Sequence, residues 1–211
     1  MAQEAIRYVA ILRPAKWKIS KDNAHAIELP WSKGTYLSEQ RQRKLRDRFL
    51  AIEKGDEGAL LSFLNETGVW QRWKRIVPVA EFWQHQTTLA FLLTNRKPKE
   101  HTETRVWTEN KLSNVLTESL YIRSIYRAPW LKLPATIEFG VDETRGALYL
   151  SVWRDRFHKA EFRYCARVDC ADHGAFKVPF EVTRRDKEYC SQYCAHLVSL
   201  RKKRARKQRR P

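Results

Sequence analysis

All four cysteines of this 211-residue chain fall between positions 165 and 194, and no other feature restricts the fold as much. Cys165-Ala166-Arg167-Val168-Asp169-Cys170 is answered by Cys190-Ser191-Gln192-Tyr193-Cys194, two close pairs with nineteen residues between them. Four and three intervening residues let each pair turn two thiolates toward one point, and Zn–S bonds of about 2.3 Å close a tetrahedron with no open position for a substrate. The spacing predicts one structural Zn2+ held by Cys165, Cys170, Cys190 and Cys194. Such a site holds a fold and does no chemistry. Two disulfides are the rival arrangement. They require an oxidising compartment, and Met1-Ala2-Gln3-Glu4 lacks the basic and apolar stretches of a signal peptide. His173 and His196 could each replace a thiolate, but four cysteines already complete the shell.

Between the pairs, Phe176, Val178, Phe180 and Val182 alternate as a half-buried hairpin requires, Pro179 marks one strand as an edge, and Arg184-Arg185-Asp186-Lys187 reads as the turn back. Ser191 is an N-cap for a helix carrying Cys194 in its first turn. Ligands from a knuckle and from a helix start describe a treble clef. The helix has apolar residues only as far as Leu197, Val198 and Leu200. Beyond them Arg201, Lys202, Lys203, Arg204, Arg206, Lys207, Arg209 and Arg210 occupy every side, so no face can pack on a core. Such a tail is frayed alone and orders when phosphates neutralise it. A solubility tail or a localisation signal is the plainer alternative.

The net charge is +17, of which residues 201–210 supply eight with no acid, leaving nine for the rest of the chain. A polyanion is the natural partner, nucleic acid before an anionic membrane surface. Four zinc-bound thiolates add a formal −2 to the finger, amid Arg163, Arg167, Arg184, Arg185 and Lys187. No apolar run nears the roughly eighteen residues of a membrane span. A soluble, cytoplasmic, nucleoid-associated protein is expected.

The preceding 160 residues read as a largely helical body. Ile6 to Leu12 suggests a strand, and residues 14–37, with Pro14, Pro30, Gly34, Trp17 and Trp31, an irregular segment pinned by aromatics. Ser38 caps a helix to Lys54 whose Arg41, Arg43, Lys44, Arg46 and Arg48 either touch phosphates or form a solvated face. Asp56 opens a second helix that Gly68 ends, and Pro78 starts a third. In the third, Glu81 and His85 stand one turn apart, read as a local hydrogen bond rather than a catalytic pair. Residues 95–101 suggest an exposed loop, Thr108 starts a helix through Leu120, and Trp130 to Pro134 covers the core. Residues 135–160 admit a hairpin of Thr136–Phe139 with Ala147–Val152. The spacing of Tyr149, Val152, Trp153 and Phe157 favours a helix from about Asp142 to Lys159. All eight tryptophans lie at or before Trp153 and either fill the core or line a ligand pocket.

Arg163-Tyr164-Cys165, Cys170, Phe176, Lys187-Glu188-Tyr189-Cys190-Ser191 and Cys194 with its basic helix resemble the C-terminal zinc finger of bacterial CGNR-type proteins. Cys194-Ala195-His196-Leu197 stands where that family reads Cys-Gly-Asn-Arg, so a sister family with the same plan carries the resemblance equally. In the family the finger follows a mostly helical ABATE domain regarded as part of a stress-linked transcription regulator. Phe49-Leu50, Leu60-Leu61-Ser62-Phe63-Leu64 and Gly68-Val69-Trp70 are similar to that domain. The resemblance implies a DNA-binding finger joined to a domain that senses something.

The expected class is therefore α+β. It comprises a predominantly α-helical body (1–160, ABATE-like), a treble-clef-like four-cysteine finger (161–200) and a basic helical tail (201–211). The expected function is zinc-dependent nucleic-acid binding without catalysis, that of a bacterial DNA-binding transcription regulator, with double-stranded DNA as partner and no membrane. A small-molecule effector and a homodimer stay open. Phosphate contacts fall to the eight tail cations with help from Arg184, Arg185 and Lys187. Two rivals remain. Asp172-His173 after a cysteine knuckle resembles the start of an HNH-type nuclease site, although no asparagine follows His173. An RNA- or ribosome-associated factor would carry the same basic tail.

Overall fold

The computed structural model describes residues 5–12, 15–20, 22–28, 34–71, 74–94, 103–125, 136–174, 177–184 and 186–208. β1 (Ala5–Leu12) is the expected first strand. It lies between β4 (Thr35–Leu37), antiparallel to it, and β7 (Thr136–Val141), parallel to it. β6 (Leu120–Ile125) closes this mixed sheet beside β7, in the order β4-β1-β7-β6. A second, antiparallel sheet has the order β2-β3-β5, from Ala15–Ser20, Asn23–Glu28 and Ile76–Pro78.

The α+β class holds, with more sheet than expected. Residues 14–37 supply β2, β3 and β4 in place of an irregular segment. The local cause is a period of two: Ala15 and Trp17 are buried while Lys16, Lys18 and Ser20 are exposed. The Trp17 amide donates to Asn65 Oδ1 (2.7 Å) and its indole N–H to the Gly68 carbonyl (2.8 Å), fixing the hairpin on the second helix.

α1 (Glu39–Ala51) begins at Ser38, whose hydroxyl accepts from the Arg41 amide, and stops three residues before Lys54. α2 (Glu57–Thr67) is capped by Asp56 and terminated by Gly68, whose φ of +88° suits glycine. α3 (Val79–Thr94) follows Pro78 as expected. α4 (Glu103–Ser119) starts before Thr108, and the chain turns from it directly into β6 rather than continuing as helix through Leu120. Thr136–Phe139 is strand, yet its neighbours are β1 and β6, and the expected helix follows as α5 (Thr144–Phe157). The readings of residues 95–101 and of Trp130 to Pro134 lie outside the described residues.

α5 is the centre of the body. Every residue from Gly140 to Val152 is buried, and the helix packs on α1, α3, α4, β1 and β7. Its first amides are satisfied by another segment, because Thr144 N–H donates to Val69 O (2.7 Å) and Arg145 N–H to Trp70 O (3.0 Å). At Gly146 an added Cβ would lie 2.8 Å from Ser119 Cβ, so glycine is what lets α4 and α5 approach. Trp70 packs with its ring tilted against Phe49 (centroids 5.3 Å apart) and Phe82 (4.7 Å) in the same core. Trp17, Trp70 and Trp83 are buried and Trp153 is half-buried, so these four tryptophans serve packing.

After α5, β8 (Phe162–Arg163) pairs antiparallel with β9 (Phe180–Glu181), bracketing the first cysteine pair. Phe162 and Val178 belong to the body's core, whereas Cys165, Cys170, Phe180 and Cys194 form a small cluster of their own. α6 (Gln192–Gln208) leaves that cluster and crosses Leu200 without a break, so the basic run continues the finger's own helix.

Candidate metal centre and basic helix

The chain returns twice to the same point. The Cys165 amide donates to His173 O (2.6 Å) and the Ala166 amide to Glu188 O (3.0 Å), which ties the knuckle to the approach of the second pair. Gly174 donates to Cys170 O (3.2 Å) and closes the knuckle. A Cβ there would stand 2.6 Å from Val168 O and 2.7 Å from Cys170 O, both backbone atoms that cannot swing aside. Ser191 Oγ accepts from the Cys194 amide at 3.3 Å, so the predicted cap is formed and Cys194 sits one turn into the helix.

This local structure brings the Sγ atoms of Cys165, Cys170, Cys190 and Cys194 within 4.8 Å of one another, and they could hold a metal ion. Cys170–Cys190, Cys190–Cys194 and Cys194–Cys170 are separated by 3.6, 3.6 and 3.7 Å. A tetrahedron with metal–sulfur bonds of about 2.3 Å has edges of about 3.8 Å, so the spacing fits thiolate coordination. All four are free thiols rather than disulfides, and three are buried.

Two thiols are pushed in opposite directions. Burial opposes ionisation of Cys170, but hydrogen bonds from the His173 and Asp172 amides and from the neighbouring thiols outweigh it and bring the group down to about 7. Burial, reinforced by Cys170 and Cys194, pushes Cys190 up to about 12. Arg167 adds positive charge to the cluster, its Nη1 lying 3.6 Å from Cys194 Sγ.

The predicted phosphate-binding residues separate into groups. Lys202, Lys203, Arg204 and Lys207 are exposed on α6. Arg201 is engaged, donating to Asp169 Oδ1 at 3.1 Å and Oδ2 at 2.7 Å. Arg206 lies in α6 with its side chain outside the described residues, as do Arg185, Arg209 and Arg210 entirely. Arg184 is exposed after β9, while Lys187 sits over the Phe180 ring at 5.3 Å. His173, the nuclease candidate, has Nδ1 2.7 Å from Val178 O and its ring against Phe180, a structural position within the knuckle. In the body, Glu81 Oε1 lies 3.8 Å from His85 Nε2, and the buried His85 turns Nδ1 to Tyr149 Oη at 2.8 Å.

Three participants are not among the predicted site residues. Asp169 neutralises the first cation of the basic run. Gly174 makes the knuckle passable. Arg43 joins finger to body, reaching Asp155 of α5 at 2.5 Å and Glu181 of β9 at 3.3 Å. Asp155 also binds the buried Arg46, and Arg154 donates to Gln42 Oε1 (3.1 Å), so α1 and α5 are joined by charge as well as by apolar contact. No sequence signal connects Asp169 to Arg201, but a glycine four residues after a cysteine ligand is a visible cue.

Compared with known proteins, the chain matches no family model, no curated protein and no solved structure. Among the described residues, no helix is long and apolar enough to cross a membrane.

Proposed function

We propose that this chain is a zinc-dependent nucleic-acid-binding protein, a DNA-binding transcription regulator of the bacterial kind, with a treble-clef finger on an ABATE-like body. A closed, largely buried four-thiolate shell suits Zn2+ in a structural role. The observation that carries the reading is α6. The helix begins inside the cysteine cluster, which orients it, and its last turns expose Lys202, Lys203, Arg204 and Lys207. These four form no ion pair among the described residues. Cations fixed on a rigid helix can track a phosphate backbone, whereas sequence choice needs contacts to base edges. The resemblance to CGNR-type fingers supports the same role.

The test is equilibrium binding of the zinc-loaded protein and of a chain ending at Leu200 to a short duplex across a salt series. About six phosphate contacts would weaken the full-length protein roughly a thousandfold between about 50 and 200 mM salt, and truncation should flatten that slope. An unaltered slope places the contacts elsewhere and removes α6 from the reading. Competition by structured RNA at matched salt distinguishes a DNA regulator from an RNA-associated factor.

A further inference from the structure

Between the first sheet and α1 lies a cleft of about 370 Å³ that none of the finger's described residues lines. Leu12, Leu37 and Leu45 give it apolar walls. Arg41, Lys44 and Arg48 come from successive turns of α1 and face it with three cations, against one carboxylate, Glu66. Arg48 is committed to Glu66 through paired bonds of 2.6 and 2.5 Å. Arg41 and Lys44 are exposed and make no ion pair among the described residues. The fourth feature is Thr67 at the end of α2, which lines the cleft and is 2% exposed. Its carbonyl accepts from Thr144, but its buried hydroxyl has no hydrogen-bond partner among the described residues.

A buried hydroxyl without a partner is unfavourable, because the hydration it loses is not replaced. Beside an apolar wall and two uncommitted cations, it is an unused donor in a site already biased toward negative charge. We propose that this cleft binds a small organic acid, a monocarboxylate with a compact apolar body. The body lies against Leu12, Leu37 and Leu45, and the carboxylate is held by Arg41 and Lys44 with the Thr67 hydroxyl donating to it. The size is at the lower end for small-molecule sites, which favours a fragment-sized acid over a nucleotide. The inference rests on the cleft alone and stands or falls independently of the nucleic-acid reading.

Calorimetric titration of the full-length, metal-loaded protein with phenylacetate and octanoate, and with the neutral phenylacetamide and octanamide, tests it. Saturable binding of an acid, at least about tenfold tighter than its amide, is expected. The double variant R41Q/K44Q should weaken the acid about tenfold or more. Thr67→Val should do the same while leaving thermal stability equal or higher, because the methyl group removes a polar atom that has no partner in the free protein. The double variant K202Q/K203Q in α6 should bind the acid unchanged. The proposal is overturned by equal affinity for acid and amide, by unchanged acid binding in R41Q/K44Q or Thr67→Val, or by dependence on the α6 lysines. Absence of saturation at about 10 mM, well above the range expected for a fragment, overturns it too. Displacement of the bound acid by short duplex DNA through Arg41 and Lys44 would assign those cations to phosphate instead.

Discussion

Asp169, in the middle of the knuckle, accepts from both terminal nitrogens of Arg201, thirty-two residues later on α6, at 3.1 and 2.7 Å. Arg167 donates to the same carboxylate at 3.0 Å and reaches Cys194 Sγ, so one acid ties the first ligand loop to the helix that carries the last ligand. These hydrogen bonds, from Arg201 first and then Arg167, hold the Asp169 carboxyl well below the usual carboxylate range. The sign follows: a depressed acid contributes stability above its ordinary value and loses it only as the pH falls through the lowered one. The bridge should therefore survive mild acid, and a carboxyl carbon titration by NMR checks this.

Because Asp169 already neutralises Arg201, the two residues should behave unequally toward a polyanion. Asp169→Asn frees a guanidinium, and if it takes one phosphate the affinity for a duplex rises about fivefold at physiological salt, with a salt slope steeper by about 0.9. Arg201→Gln should change affinity far less than Lys202→Gln. Equal losses from the two substitutions would mean that Arg201 leaves Asp169 on binding.

Metal loading should depend on pH through two regimes. A thiol must lose its proton to become a ligand, so affinity rises with pH wherever the metal-free site still holds protons. Cys190, pushed up to about 12, keeps its proton throughout the neutral range and sets a persistent positive slope. Cys170, brought down to about 7, adds a further proton only below that value, and the slope should steepen there. Competition with a chromophoric chelator from about pH 6 to about 9, which spans the Cys170 regime and the neutral range in which Cys190 stays protonated, measures the slope. A curve that flattens below neutrality would contradict the assignment. Complete chelation should loosen residues 161–200 while the body stays folded, although Phe162 and Val178 pack in the body's core and should keep the nearest strand residues partly protected.

Gly174→Ala should damage the site without touching a ligand. The new methyl group would meet the carbonyls of Val168 and Cys170 at 2.6 and 2.7 Å, so the knuckle must open. Overpacking of this kind costs about 1–3 kcal/mol, or roughly a five- to 150-fold loss of metal affinity. Unchanged affinity measured by the same chelator competition would show that the loop has room to relax.

What could be read beforehand follows the range of the interactions. The Ser38 and Ser191 caps, the helix opening at Asp56, the Gly68 stop and α5 all depend on residues within a few positions, and the structure bears each of them out. The two cysteine pairs do come together, as a group that could hold a metal ion. β2 to β4 were obscured because the alternation of Ala15 to Ser20 is short and bracketed by prolines. β7 pairs with β1, about 130 residues earlier, and local spacing carries no trace of that. The same holds for Arg43 and Asp155, and for Asp169 and Arg201: opposite charges in a basic chain have many candidate partners, and only the fold selects one.

The buried pair Arg46–Asp155 gives the most direct test of how body and finger hold together. Their side chains are 2% and 1% exposed, so neither charge has recourse to water. Removing Asp155 leaves the buried Arg46 only the half-exposed Asp47, at 3.0 Å, so Asp155→Ala should destabilise the body by about 3 kcal/mol, the lower end for breaking a buried pair. Much of that cost is a buried guanidinium left with one half-exposed partner, so the double variant Arg46→Met with Asp155→Leu should recover most of it. Arg43 is 38% exposed and bridges Asp155 to Glu181. Arg43→Gln should therefore cost the body little, yet it removes the ionic tie to β9 and should raise amide exchange in residues 180–182. Denaturant unfolding with exchange readout separates the two effects. If Asp155→Ala costs under about 1 kcal/mol, the range of an exposed pair, then α1 and α5 are held by apolar packing alone and the charges are incidental.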